Sequence, residues 1–196
     1  MILKNRKQMI FISAHSDTNY KHVKLKKDDE FYIGHLDNYV GVYSVMKAYF
    51  SGQLDLKHVR VELTYGEETD FEGALEVAEE IKKNDLVIVV DVTATPTKKD
   101  FVIEKCKSPI VQHFLKVVLK NYEYDLYEDC PDPVSNLDEV EIYKNKTKHY
   151  FFLGLPCEGG DYNLEAVRCK IKSVKKVSKA LIDICKNYDH FIRLIN

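Results

Sequence analysis

Four separate stretches of this chain set a histidine or a carboxylate against an apolar run or the start of a helix. His15 and Asp17 come directly after Gln8–Ala14. Glu67 and Glu68 follow Val59–Tyr65 through Gly66. Asp91 interrupts Val87-Ile88-Val89-Val90 near its carboxyl end, and Asp37 opens a helical stretch beginning Asn38-Tyr39. Carboxylates held close together either share protons or neutralise a cation. One neutral imidazole among several carboxylates is a ligand set for zinc, manganese or cobalt. A carboxylate that bridges two ions, flanked by terminal ligands, gives the two-metal arrangement used in hydrolysis. Asp37 lies in sequence between the His15 and Glu68 segments and is the natural bridge. A lone H-x-D or a Glu-Glu pair is common on surfaces. Asp91 is different, because a charge inside a Val/Ile run is costly to bury unless it is paired or coordinated.

The elements that would position these groups are legible from periodicity. Gln8–Ala14, Val59–Tyr65 and Leu86–Val92 read as strands, the last two apolar enough to be covered on both faces. Phe71, Ala74, Leu75, Ala78 and Ile81 keep a helical period. So do Ile110, Val111, Phe114, Leu115, Val118 and Leu119, opened by Pro109, and also Val174, Val177, Leu181, Ile184 and Cys185. Asn38–Phe50 is apolar almost all round and reads as a buried helix. The alternation predicts an α/β fold, a three-layer α/β/α sandwich with a mixed, centrally parallel sheet. Ligands of such sheets gather outside the carboxyl ends of the strands, where all four segments point.

The chain has 196 residues, suited to one domain over 1–196. Its 29 basic and 31 acidic residues leave a net charge of −2, so no global field favours nucleic acid or an anionic membrane. Lys24-Leu25-Lys26-Lys27 runs straight into Asp28-Asp29-Glu30 and reads as a solvated loop or turn. No apolar run is long enough to span a bilayer or serve as a signal peptide. Five cysteines without a C-x-x-C pair suit reduced thiols and a cytoplasmic location. No Gly-rich phosphate loop or nucleophile elbow occurs. His22, His58, His113 and His190 lack partner spacing.

In this order, His15-Ser16-Asp17, Asp37-Asn38, Gly66-Glu67-Glu68 and Val90-Asp91-Val92 resemble the co-catalytic dizinc exopeptidase clan of aminopeptidases, carboxypeptidases and desuccinylases. The resemblance runs from about residue 8 to the C-terminal helical stretch. It implies that His15, Asp37, Glu68 and Asp91 hold two divalent ions, zinc or else manganese or cobalt. Asp37 would bridge them and be followed by a cis peptide. Asp17 would orient His15, and Glu67 would be the general base.

The chain departs from the clan's pattern in three ways. The closing histidine, four residues before a glutamate, is replaced by Asp161 ahead of Glu165, with Glu158 and His149 as alternative last ligands. An oxygen ligand there favours a harder ion. The intervals between ligands are short, 22 positions from His15 to Asp37 and 70 from Asp91 to Asp161, leaving no room for a lid domain. Only 14 residues precede His15, fewer than the clan's N-terminal helix and strands occupy.

The expected activity is hydrolysis of an amide bond in a peptide or small amide substrate, of aminopeptidase or dipeptidase type. An N-acyl amino acid deacylase or desuccinylase would use the same metal core, with Arg168 or Lys170 for the substrate carboxylate. A catalytically silent relative is the third reading. His35 reads as a packed or surface histidine near Asp37. Asp132 and Asp138 lie in a loop ahead of a helix for which Asn136 fits as a cap.

Overall fold

β-Branched runs supply the inner strands of this chain, because their stiff side chains pack well on a pleated surface. The computed structural model describes residues 7–132 and 137–196, so Asn136 lies outside the described residues. In chain order the elements are β1 (Ile10–His15), β2 (Leu25–Lys27), β3 (Phe31–Gly34), α1 (Tyr39–Tyr49), β4 (Val59–Thr64), α2 (Glu72–Ala78), β5 (Leu86–Thr93) and β6 (Phe101–Glu104). They continue with α3 (Pro109–Val118), β7 (Tyr124–Leu126), α4 (Val140–Tyr143), β8 (His149–Glu158), β9 (Val167–Lys170), α5 (Ile171–Lys186) and α6 (Tyr188–Ile195).

Among the described residues nine strands form one mixed sheet in the order β2-β3-β9-β8-β5-β1-β4, with β6 pairing β8 and β7 pairing β6. Its centre is parallel: β1 lies between β4 and β5, and β5 lies between β1 and β8. β5 is buried along its whole length, as its unbroken apolar run requires. β6, β9, β2 and β3 add antiparallel pairings.

Alternation along the inner strands divides the core. Ile10, Ile12, Ile88 and Val90 face the larger cluster, under α1, α3, α5 and α6. Phe11, Val87, Val89 and Phe152 face the smaller one, under α2 and α4. These are the three layers anticipated from the sequence. His15 and Asp91 share the α2/α4 face with Phe11 and Val89, because residues two apart on a strand point the same way.

Three local expectations need correction. α1 is not buried all round: Val40, Ser44, Val45 and Ala48 pack inward, while Tyr39, Tyr43, Tyr49 and Phe50 are exposed. Tyrosine presents an apolar ring and a wet hydroxyl, so an apolar count overstates its burial. α2 is shorter than its stripe suggested. Phe71 precedes it at φ 61° and Leu75 is exposed. The Lys24–Glu30 stretch is an edge hairpin, whose turn is held by the Asp28 carboxylate accepting the N–H groups of Glu30 and Phe31.

Candidate metal centre

His15 ends β1 and Asp91 lies near the end of β5. The parallel register that sets Ser13 beside Val89 sets them side by side two residues on. His15 Nε2 stands 3.3 Å from Asp91 Oδ2 and 3.1 Å from Asp37 Oδ1. Asp37 arrives from the turn into α1, and its peptide to Asn38 is cis, as the resemblance implied. The Asn38 amide donates to the Val90 carbonyl at 2.8 Å, tying that turn to β5 one residue from Asp91.

The third segment is the loop after β4. The Gly66 carbonyl accepts the N–H groups of Thr69, Asp70 and Phe71, so the chain folds back over Glu67 and Glu68. Asp17 accepts the backbone N–H of Glu68 at 3.3 Å, and the Asn19 side chain donates to the Glu68 carboxylate. The ligand atoms form two overlapping sets, His15 with Asp37 and Asp91, and His15 with Glu67 and Glu68. Within each set they lie within 4.8 Å of one another. Asp17 Oδ1 faces His15 Nδ1 at 3.5 Å. Neither atom has a hydrogen bond of good geometry in the structure, so this approach is electrostatic.

The electrostatics are those of crowded anions. Burial would lower the His15 pKa, but Asp91 and Asp37 overcome it and raise it well above the usual imidazole range. Glu67 is pushed up to about 9, first by burial and then by Asp91, Asp37 and Glu68. Asp91, 6% exposed, is pushed up to about 7 by burial, with Asp37 adding to the shift and His15 opposing it. Glu68 is raised by burial and Asp37. These carboxylates would rather be protonated than charged together, which is how a cation site behaves without its cation. The donor set, one imidazole with several carboxylate oxygens, fits divalent zinc, manganese or cobalt.

Beside the ligands opens a cavity of about 330 Å³, whose lining includes Asp37, Glu67, Glu68 and Asp91. No lysine or arginine lines it among the described residues. Arg168 and Lys170 instead face Glu158, at 3.0 and 3.9 Å.

The other sequence candidates fall elsewhere. Asp161 belongs to neither close set. It is exposed and accepts the N–H of Asn163 at 2.9 Å, although Tyr162 and Asn163 border the cavity. Glu158 is exposed and engaged with Arg168. His149 starts β8 opposite Leu86, at the far end of the sheet from Asp91, and so cannot be the last ligand. His35 stacks on Tyr20, ring centroids 4.0 Å apart. Asp138 is buried and pairs with Lys105 Nζ at 2.9 Å, while Asp132 is half-buried.

Two buried acids beside the site escaped the sequence reading. Glu139 accepts the Ser13 hydroxyl at 2.6 Å behind His15. It sits in Leu137-Asp138-Glu139-Val140-Glu141, which reads as a solvated charge run and carries no signal. Glu104 lines the cavity and closes the apolar run Phe101-Val102-Ile103. The rule that singled out Asp91 applies equally there.

The sequence profile of peptidase family M28 matches residues 1–152. No curated protein matches the chain. Solved structures do. An aminopeptidase, APDkam598, from the archaeon Desulfurococcus kamchatkensis superposes with a TM-score of 0.63 at 15% identity, over 84% of this chain and 52% of that one. The TET aminopeptidase from the marine sediment archaeon Thaumarchaeota archaeon SCGC AB-539-E09 gives 0.64 at 12%, over 86% and 54%. Yeast aminopeptidase 1 gives 0.61 at 12%, over 83% and 47%. At these identities the likeness is one of fold. The chain spans about half the length of these proteins.

Proposed function

The chain belongs to peptidase family M28, of the co-catalytic zinc exopeptidase clan, and from that membership we propose that it is a metal-dependent peptidase of aminopeptidase type, acting as one catalytic domain on a peptide or small amide. The observation that carries the reading is the meeting of His15, Asp37 and Asp91 at the carboxyl edge of the sheet, with Glu67 in the wall of the adjoining cavity.

In this reading His15, Asp37, Glu68 and Asp91 would hold two divalent cations, Asp37 serving as the shared ligand. Asp161 would join only by turning inward from the cavity rim. Bound metal supplies Lewis acidity, polarising the scissile carbonyl and easing the ionisation of water. Glu67 receives the proton of the attacking water and delivers it to the leaving amine. Asp17 keeps the His15 ring in one orientation. The loop from Tyr65 to Phe71 excludes bulk water on one side, so Glu67 works in a partly desolvated setting where its proton affinity responds to the charge beside it.

An acyl-substrate enzyme needs a cation for the substrate carboxylate, and the acidic lining speaks against it. No helix among the described residues is long and apolar enough to cross a membrane. None of the five cysteines is in a disulfide, which suits a reducing, cytoplasmic setting.

Glu67→Gln tests the assignment. Turnover of aminoacyl p-nitroanilides should fall roughly 10²–10⁴-fold, while zinc stoichiometry by elemental analysis stays at the wild-type value. Wild-type turnover in this variant would remove Glu67 as the base. Wild-type protein that binds no divalent metal would remove the site.

A further inference from the structure

Glu104 is a buried carboxylate without a counter-ion. Its residue is 2% exposed, it lines the cavity, and no cation lies within ion-pair distance of it among the described residues. Its partners are neutral. The Thr93 hydroxyl donates to Oε1 at 3.0 Å, and the Cys130 thiol lies against it. The neighbouring buried acid, Asp138, is already balanced by Lys105. Asp37, Glu67, Glu68 and Asp91 gather around His15, whereas Glu104 stands outside that cluster with no positive group beside it among the described residues. Burying such a charge is expensive unless a cation joins it.

The sheet register shows how that charge is aimed. Glu104 on β6 and Thr93 on β5 flank β8, and they meet across Gly154. A Cβ at Gly154 would stand 2.7 Å from both Thr93 Cγ2 and Val102 Cγ2, so only glycine lets the two outer strands' side chains converge there. Asp91 and Thr93 are two residues apart on one strand face, about 6.6 Å along β5. Glu104 therefore lies roughly a side-chain length from the metal ligands, on the same face. Phe71, Phe152 and Leu137 line the same cavity together with the polar Thr69, Tyr162 and Asn163. A buried carboxylate set a side-chain length from that cluster, with Phe71, Phe152 and Leu137 along the wall, matches a side chain with a hydrocarbon stem and a cationic tip.

We infer that this cavity receives a basic side chain, so that the preferred substrate is a peptide with lysine or arginine at its N-terminus, its cation bound by Glu104. The assignment of substrate class rests on the peptidase reading above. The pocket itself does not.

Two measurements separate the two claims. Metal-loaded wild type is assayed on lysyl, arginyl, leucyl and glutamyl p-nitroanilides, alongside Glu104→Gln, which keeps the size of the side chain. Lysyl and arginyl substrates should exceed leucyl by about tenfold or more in kcat/KM, the scale of a charge-assisted hydrogen bond, and the lysyl-to-leucyl ratio should collapse in the variant. In parallel, calorimetry on metal-free protein compares L-lysinamide with L-norleucinamide. Wild type should bind the lysine compound more tightly, and Glu104→Gln should erase the difference. Leucyl turnover equal to or above lysyl in wild type overturns the inference, as does a lysyl preference that Glu104→Gln leaves intact. Absence of turnover on every substrate strikes the peptidase reading, and the calorimetric comparison then decides the pocket alone.

Discussion

At the scale of single residues, the proposed ligating atoms depend on neighbours outside the cluster itself. His15 is buried, and its second ring nitrogen faces Asp17 at 3.5 Å. Asp17 in turn accepts the Glu68 backbone, so one carboxylate steadies two of the proposed ligands. Removing such outer partners typically weakens metal binding about 10–100-fold. Asp17→Asn should therefore lower zinc affinity by that order in competition with a chelating indicator. Unchanged affinity would reduce Asp17 to a loop constraint. The five acids and the histidine were legible because each abuts an apolar run or a helix start. Glu139 was not, because its buried carboxylate is met by the Ser13 hydroxyl, more than a hundred residues earlier in the chain. That contact leaves no local trace.

At the scale of elements, the loop carrying Glu67 and Glu68 is clamped by the helix that follows it. Gly73, in the first turn of α2, donates its N–H to the Tyr65 carbonyl at 2.9 Å, and an added Cβ would stand 2.6 Å from the Tyr65 nitrogen. Replacing a helical glycine by alanine gains up to about 1 kcal/mol where there is room. Here the obstacle is backbone, and overpacking costs about 1–3 kcal/mol, so the clash wins. Gly73→Ala should lower the melting temperature and displace the Tyr65–Glu68 loop, lowering kcat while His15, Asp37 and Asp91 still bind metal. A stabilised variant with full activity would show that the loop yields freely. The helical period of this region was visible in sequence. That Phe71 leaves the helix at φ 61° to border the cavity was not, since periodicity records faces rather than where a helix begins.

At the scale of the molecule, the site couples stability to metal and to pH. Glu67 ionises at about 4.5 in an unfolded chain and at about 9 in the metal-free fold, and Asp91 is raised in the same direction. A carboxyl whose pKa is raised by folding lets the native state hold protons that the unfolded chain has released. Stability therefore falls as pH climbs between those two values. His15, also raised, favours the fold at low pH and loses that contribution as pH rises. The metal-free melting temperature should accordingly decline from about pH 5 to pH 9. Zinc replaces those protons, so its addition should flatten the decline. At a hundred times its Kd it should raise the melting temperature by roughly 5–10 °C for a chain of this size. A metal-free protein whose melting point ignores pH across that range would contradict the crowding of these carboxylates.

The chain's sequence by itself determined the layered α/β architecture and the identity of the acids and histidine that end its inner strands. Both follow from local rules: a period of two or of 3.6, and the cost of a charge inside an apolar run. Tertiary structure alone decided which of these groups meet. Parallel register set His15 beside Asp91, pairing on β8 brought Glu104 to Thr93 over Gly154, and the length of that strand carried His149 away from the site. Register joins residues far apart in the chain, and no local pattern records it.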